Sequence, residues 1–197
     1  MRAALVLIVF GGCTPSIAPG AYLCGANASC PPDQVCDGVT DSCVLKGTEM
    51  PFTCDMGTEV PGDDTPATAK PIPQLACVSP PYSDSGCMPA GDAQDWVKLA
   101  TPSVCTSVAV QARLSYPVAY EQLSLELWDL STMTLVGSDV PCAQSANDPA
   151  HVERCITLQV NPGGEYGLAV KAASGGDCGG GCAYNRYDLT VQLATPG

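Results

Sequence analysis

Thirteen cysteines in a chain of 197 residues constrain what this sequence can fold into more than any other feature. One of them, Cys13, closes an N-terminal stretch made of Arg2, an apolar run from Ala3 to Phe10, and Gly11-Gly12. A basic residue, an apolar run and small residues in that order read as a short export signal. The others are Cys24, Cys30, Cys36, Cys43, Cys54, Cys77, Cys87, Cys105, Cys142, Cys155, Cys178 and Cys182. They are even in number and spread over the rest of the chain, the pattern of a disulfide framework formed in an oxidising compartment.

The run Phe10-Gly11-Gly12-Cys13 resembles the lipobox of bacterial lipoproteins, with Phe10 where Leu is usual. The resemblance implies a signal peptide over 1–12 and a lipidated Cys13. Buried methylenes at about 0.8 kcal/mol each would then anchor the protein to a membrane. Thr14 stands where inner-membrane lipoproteins commonly carry Asp, which implies the outer membrane or cell surface. Two readings compete with this one. Cleavage further on, for instance after Ser16-Ile17-Ala18, would give a secreted or periplasmic protein, and the segment could also be an uncleaved strand.

The formal net charge is −12, and Lys46, Lys70, Lys98, Arg113, Arg154, Lys171 and Arg186 are scattered singly. Nucleic acid needs clustered cations, so it is excluded as a partner. The acidity implies a solvated surface, or carboxylates that converge on a divalent cation. The sole histidine, His151, falls in a polar stretch between Cys142 and Cys155 and reads as a solvated loop residue. With no G-x-S-x-G elbow, no P-loop and no dinucleotide glycine motif, the chain reads as a non-enzyme. A hydrolase would require two carboxylates facing each other in a deep cleft.

Composition changes near residue 62. The segment 13–62 is rich in Cys, Pro, Gly, Asp and Asn and has no periodic apolar run, so cross-links must hold it as a small, loop-dominated module. It lacks C-x2-C pairs and Cys/His sets, which argues against zinc. From 63 to 197 apolar residues alternate with polar ones: Val108, Val110, Ala112 and Leu114; Leu123, Leu125 and Leu127; Ile156, Leu158 and Val160; Tyr166, Leu168 and Val170; Tyr187, Leu189, Val191 and Leu193. Period-2 alternation broken by turns such as Asn161-Pro162-Gly163-Gly164 predicts about seven or eight antiparallel strands in one β-sandwich. Spacing suggests local clips Cys142–Cys155, Cys77–Cys87 and Cys178–Cys182, and a long-range tie Cys54–Cys105, although spacing alone does not determine connectivity. Trp96 is expected in the core, and Tyr116, Tyr120, Tyr184 and Trp128 in core and rim packing, with a surface platform as the alternative.

The second segment resembles the bacterial pre-peptidase C-terminal domain, whose relatives include collagen-binding domains. The blocks that carry the likeness are Asp63-Asp64-Thr65-Pro66-Ala67-Thr68-Ala69, Gly91-Asp92-Ala93-Gln94-Asp95-Trp96-Val97-Lys98-Leu99, Leu123-Ser124-Leu125-Glu126-Leu127-Trp128-Asp129, Pro162-Gly163-Gly164-Glu165-Tyr166-Gly167-Leu168-Ala169-Val170 and Tyr187-Asp188-Leu189-Thr190-Val191. The resemblance implies an all-β, antiparallel, jelly-roll-like sandwich that does not catalyse but serves attachment, display or secretion. It also implies a calcium site at Glu59, Asp63, Asp64, Asp92 and Asp95. The competing reading of these carboxylates is an Asx-type turn before the strand at Trp96. The expected function is that of a surface binding and display module. The alternatives are a calcium-stabilised adhesion module for glycan or extracellular protein, and an accessory domain for secretion or assembly of a partner.

Overall fold

The computed structural model describes residues 18–50, 54, 62–89, 92–118, 121–143, 148–173 and 185–196. The expectations for Cys13, Glu59, Tyr120, Cys178, Cys182 and Tyr184 lie outside the described residues.

Residues 18–50 fold around sulfur. Strands β1 (Gln34–Asp37) and β2 (Ser42–Leu45) form an antiparallel hairpin in which Cys36 pairs with Cys43. Each bonds to a different upstream cysteine, giving Cys24–Cys36 and Cys30–Cys43 with Cα separations of 5.4 and 5.7 Å. The two crosslinks interlock, and Cys24 and Cys43 are fully buried, so the cystines take the place of an apolar core. All four thiols are oxidised, which removes them as metal ligands. The Asp37 carboxylate accepts the Val39 N–H at 2.9 Å and shapes the turn between the strands.

The rest is a two-sheet sandwich. In chain order the strands are β3 (Lys70–Pro71), β4 (Tyr82–Met88), β5 (Gln94–Ala100), β6 (Val108–Pro117), β7 (Leu123–Asp129), β8 (Thr134–Ser138), β9 (Val140–Pro141), β10 (His151–Val160), β11 (Glu165–Ala172) and β12 (Asn185–Ala194). One sheet runs β4-β12-β6-β10-β9 and the other β3-β5-β11-β7-β8. Among the described residues every pairing of these strands is antiparallel except that of the two-residue β3 with β5. Apart from the β7–β8 hairpin, the chain from β4 to β8 and from β10 to β12 changes sheet at each step, as in an eight-stranded jelly roll, and β3 and β9 extend the edges.

The alternation in the sequence places the core. Leu114, Leu125, Leu127, Leu168, Leu189 and Leu193 are at most 1 % exposed, and each contributes about 2 kcal/mol of burial. Tyr116 belongs to the same core. Trp96 is buried, as expected, but on the outer face of its sheet. There it packs with Ala69, Ala169, Leu130 and Trp128, and its backbone N–H holds the strap 62–69 through the Asp63 carbonyl.

Two expectations about pairing are corrected, and one holds. Cys142–Cys155 closes as expected. Cys77 bonds Cys105 rather than Cys87, and Cys54 bonds Cys87 rather than Cys105. The reason is extension. Cys77 and Cys87 are ten residues apart with most of β4 between them, and a strand advances about 3.3 Å per residue, whereas a disulfide needs Cα atoms within about 7 Å. Cys105, in the loop before β6, lies 5.6 Å from Cys77 by Cα. The tie between the N-terminal region and the sandwich is therefore made on β4.

His151 is also corrected. It is the first residue of β10, half-buried, with Nδ1 2.8 Å from Oδ2 of Asp148. The Asp148 carboxylate also accepts the Ala150 N–H at 2.9 Å, which turns the chain so that His151 enters the strand facing protein.

Candidate metal centre

Four of the five residues expected to ligate calcium come together where the strap meets β5. Asp63 and Asp64 lie on the strap just after Gly62, whose φ of 88° is a backbone conformation that suits glycine. The strap is fixed by two bonds to β5: the Trp96 N–H donates to the Asp63 carbonyl at 2.9 Å, and Gln94 Nε2 donates to the Asp64 carbonyl at 2.8 Å. Asp92 precedes β5, and its Oδ1 accepts the Gln94 N–H at 3.2 Å. That bond is the expected Asx-type turn, so the turn and the carboxylate cluster coexist.

Asp95 is an inward-facing residue of β5. The same alternation that points Val97 and Leu99 into the core points this carboxyl inward, and it is 3 % exposed. Its Oδ2 accepts a 2.7 Å hydrogen bond from the Tyr187 hydroxyl of β12, across the sandwich. Tyr187 stands directly opposite Gly86 of β4 in register. A Cβ at Gly86 would lie 2.1 Å from the Tyr187 ring, so glycine leaves the space through which the phenol passes.

Single carboxylate oxygens of Asp63, Asp64 and Asp95 lie within 4.8 Å of one another, and the Asp92 carboxylate packs against Asp64 and Asp95. Asp63 is 5 % exposed. Oδ1 of Asp63, Oδ2 of Asp92 and Oδ1 of Asp95 are buried with no hydrogen-bond partner. A buried charge with no partner is costly, so the buried carboxyls of this cluster take up protons more readily than ordinary ones. Burial pushes the Asp63 carboxyl up to about 6, with the neighbouring carboxylates adding to the shift. Burial raises Asp92 and, well above the usual carboxylate range, Asp95, and the Tyr187 hydrogen bond only partly offsets the rise at Asp95. The nearby cation Lys70 is committed to Asp84, 2.7 Å away. The donors present are all hard oxygens, which suit calcium and exclude a preference for soft metals.

The strap continues into a groove of about 420 Å³ lined by Thr65, Pro66, Ala67, Lys98, Leu130, Met133 and Glu165. Beside it Trp128 is held on several sides. Its Nε1 donates to Glu126 at 2.9 Å, Lys171 lies 5.6 Å over its ring, and the Trp96 ring centroid is 6.0 Å away. Trp128 is thus packed into the outer face, as rim packing predicts.

Sequence reading missed Tyr187 as part of the site and took it only as a core residue. The available signal was Gly86, a glycine inside a strand, which marks a close approach by another group.

The disulfides and the sheets together define a class: an extracytoplasmic, cystine-framed β-sandwich, here with a partly buried carboxylate cluster at the start of β5. No family model matches the chain, and no curated protein matches it in sequence. Among solved structures it is similar to the pre-peptidase C-terminal domain of a Bacillus anthracis collagenase, at 15 % identity over 62 % of this chain and 93 % of that one, with a TM-score of 0.42. It is also similar to the periplasmic inhibitor of g-type lysozyme from Aeromonas hydrophila, at 10 % identity over 64 % and 96 %, TM-score 0.37. A third is a carbohydrate-binding module of Cellvibrio mixtus lichenase 5A, at 15 % identity over 63 % and 95 %, TM-score 0.32.

Proposed function

We propose that this chain is an exported, non-catalytic binding and display module whose sandwich is completed by a calcium ion held between Asp63, Asp64, Asp92 and Asp95. The observation that carries the reading is that Asp63, Asp64 and Asp95 each bring a carboxylate oxygen within 4.8 Å of the others where the strap meets β5, while Asp63, Asp92 and Asp95 each keep a buried oxygen with no hydrogen-bond partner. The ion would neutralise these carboxylates and pin the strap. Thr65, Pro66 and Ala67 of that strap wall the outer groove, so loading the site would also set the shape of the groove. The family likeness would add Glu59 to the ligand set, and a lipidated Cys13 at the outer membrane or cell surface would present the sandwich to its ligand.

Calorimetry on the disulfide-intact chain tests the metal claim. Calcium should bind with Kd in the range of about 10⁻⁴ to 10⁻³ M, and at ten times Kd should stabilise the fold by about 1.4 kcal/mol. No heat and no change in Tm up to about 10 mM calcium would remove the proposal. The anchor is tested separately by the intact mass of the protein extracted from membranes with detergent, where a lipid-sized increment on Cys13 is expected.

A further inference from the structure

The cystine module and the sandwich meet at an ionic junction beside their covalent tie. Arg186 of β12 donates through Nη2 to Oδ2 of Asp41 at 3.1 Å and to the Val39 carbonyl at 3.4 Å. Arg186 is the strand partner of Cys87, so these bonds stand next to the Cys54–Cys87 disulfide. Asp41 sits in the β1–β2 turn with φ 52°, a left-handed conformation that Asp tolerates better than most residues. The same Oδ2 lies 3.8 Å from Nε2 of His151, while Nδ1 of that ring is 2.8 Å from Asp148. The imidazole therefore faces a carboxylate on each nitrogen, with Arg186 across Asp41. Oδ1 of Asp41 is buried and has no partner.

A neutral imidazole has one N–H, and an imidazolium has two. When the neutral ring donates from Nδ1 to Asp148, it turns a lone pair toward Asp41, which is then held by Arg186 alone. The imidazolium donates toward both carboxylates.

We propose that His151 is a proton-operated latch that seats the cystine-rich module on the sandwich: the protonated ring bridges Asp148 and Asp41, and loss of its proton frees the Asp41 side. The latch has two limits. At its upper limit the ring is neutral. At its lower limit Asp41 takes up a proton and the ion pair ends, and burial moves that limit upward by raising the Asp41 carboxyl above its ordinary value. The seat is tightest in the acidic window between them. Cys54–Cys87 keeps the module attached throughout, so release is a hinge motion and not a dissociation.

The test follows the full, disulfide-intact chain by NMR, recording the His151 ring and the Val39 and Asp41 amides as pH rises. The two amides should move with the same midpoint as the ring, and hydrogen-exchange protection of the β1–β2 turn should fall about two- to fivefold as the ring loses its proton. His151→Gln should abolish this transition, and Arg186→Gln should lower protection at every pH. The Asp63 cluster also carries titrating carboxyls, so the experiment is repeated on Asp63→Asn, in which the transition must persist. Turn amides that stay still through the ring's titration overturn the latch. So does a His151→Gln variant that keeps the transition.

Discussion

The Tyr187 hydroxyl and the Asp95 carboxylate, 92 residues apart, are joined by a 2.7 Å hydrogen bond that crosses the interior from one sheet to the other. The bond places a carboxyl at the end of an apolar core and leaves its second oxygen without a partner. Burial and the nearby Asp95 charge also push the Tyr187 phenol well above its usual range, so it acts as a fixed donor. The result is a half-satisfied buried acid, beside Asp63, Asp64 and Asp92, that a cation would complete.

Asp95→Asn separates the metal role from the packing role. Asp95 is held protonated at neutral pH, so Asn is close to its resting state, and cation-free stability at pH 7 should change by less than about 1 kcal/mol. Calcium affinity should fall more than about tenfold, because a ligand charge is gone. Calorimetry and thermal melts on the same sample read both.

The pH dependence has a definite sign. The folded-state value of Asp63, about 6, exceeds its ordinary 3.8, so its contribution to stability is full below that ordinary value and is lost as pH rises through about 6. Asp92 and Asp95 shift in the same direction. Without calcium, Tm should decline from about pH 4 to about pH 7, and saturating calcium should flatten the decline, since ligands must lose protons to bind metal. A cation-free Tm that climbs over this range contradicts the assignment.

Gly86→Ala should be severe for so small a change. The added methyl would sit 2.1 Å from Tyr187 Cζ and 2.2 Å from its hydroxyl oxygen. Displacing the ring should cost about 2 kcal/mol or more and remove the donor from Asp95. Tyr187→Phe keeps the ring and leaves Asp95 without its partner, at about 1–3 kcal/mol. Denaturant melts of both variants should show Gly86→Ala at least as unstable as Tyr187→Phe.

The disulfide map is open to direct measurement. Peptide mapping without reduction should recover Cys54–Cys87 and Cys77–Cys105, and a Cys77–Cys87 peptide would contradict the fold. The Cys77–Cys105 crosslink spans 28 residues, so replacing both cysteines by Ala should cost about 3–4 kcal/mol on the loop-entropy estimate.

Legibility followed the range of the interaction. Val108, Val110, Leu125, Leu168 and Leu189 were assigned to the core from alternation alone, because a strand sends every second side chain to the same face whatever its partners are. The Asp63-Asp64 and Asp92-to-Asp95 blocks were legible as acidic segments, and their convergence was implied by family likeness. What buries Asp95 beside the other carboxyls is its inward parity on β5, which the sequence does contain. Tyr187 could be read only as a core residue, since nothing near it in sequence indicates that it faces Asp95.

Taken alone, the sequence determined an oxidised, cystine-framed chain of alternating strands, with its apolar faces assigned and its acidic blocks in view. These are properties of local spacing and composition, which need no knowledge of which strands are neighbours. The tertiary structure decided that Cys77 meets Cys105, that His151 enters a strand between Asp148 and Asp41, and that Tyr187 passes Gly86 to reach Asp95. Each of these depends on strand order and register, which bring residues tens of positions apart within bonding distance, and local periodicity is indifferent to them.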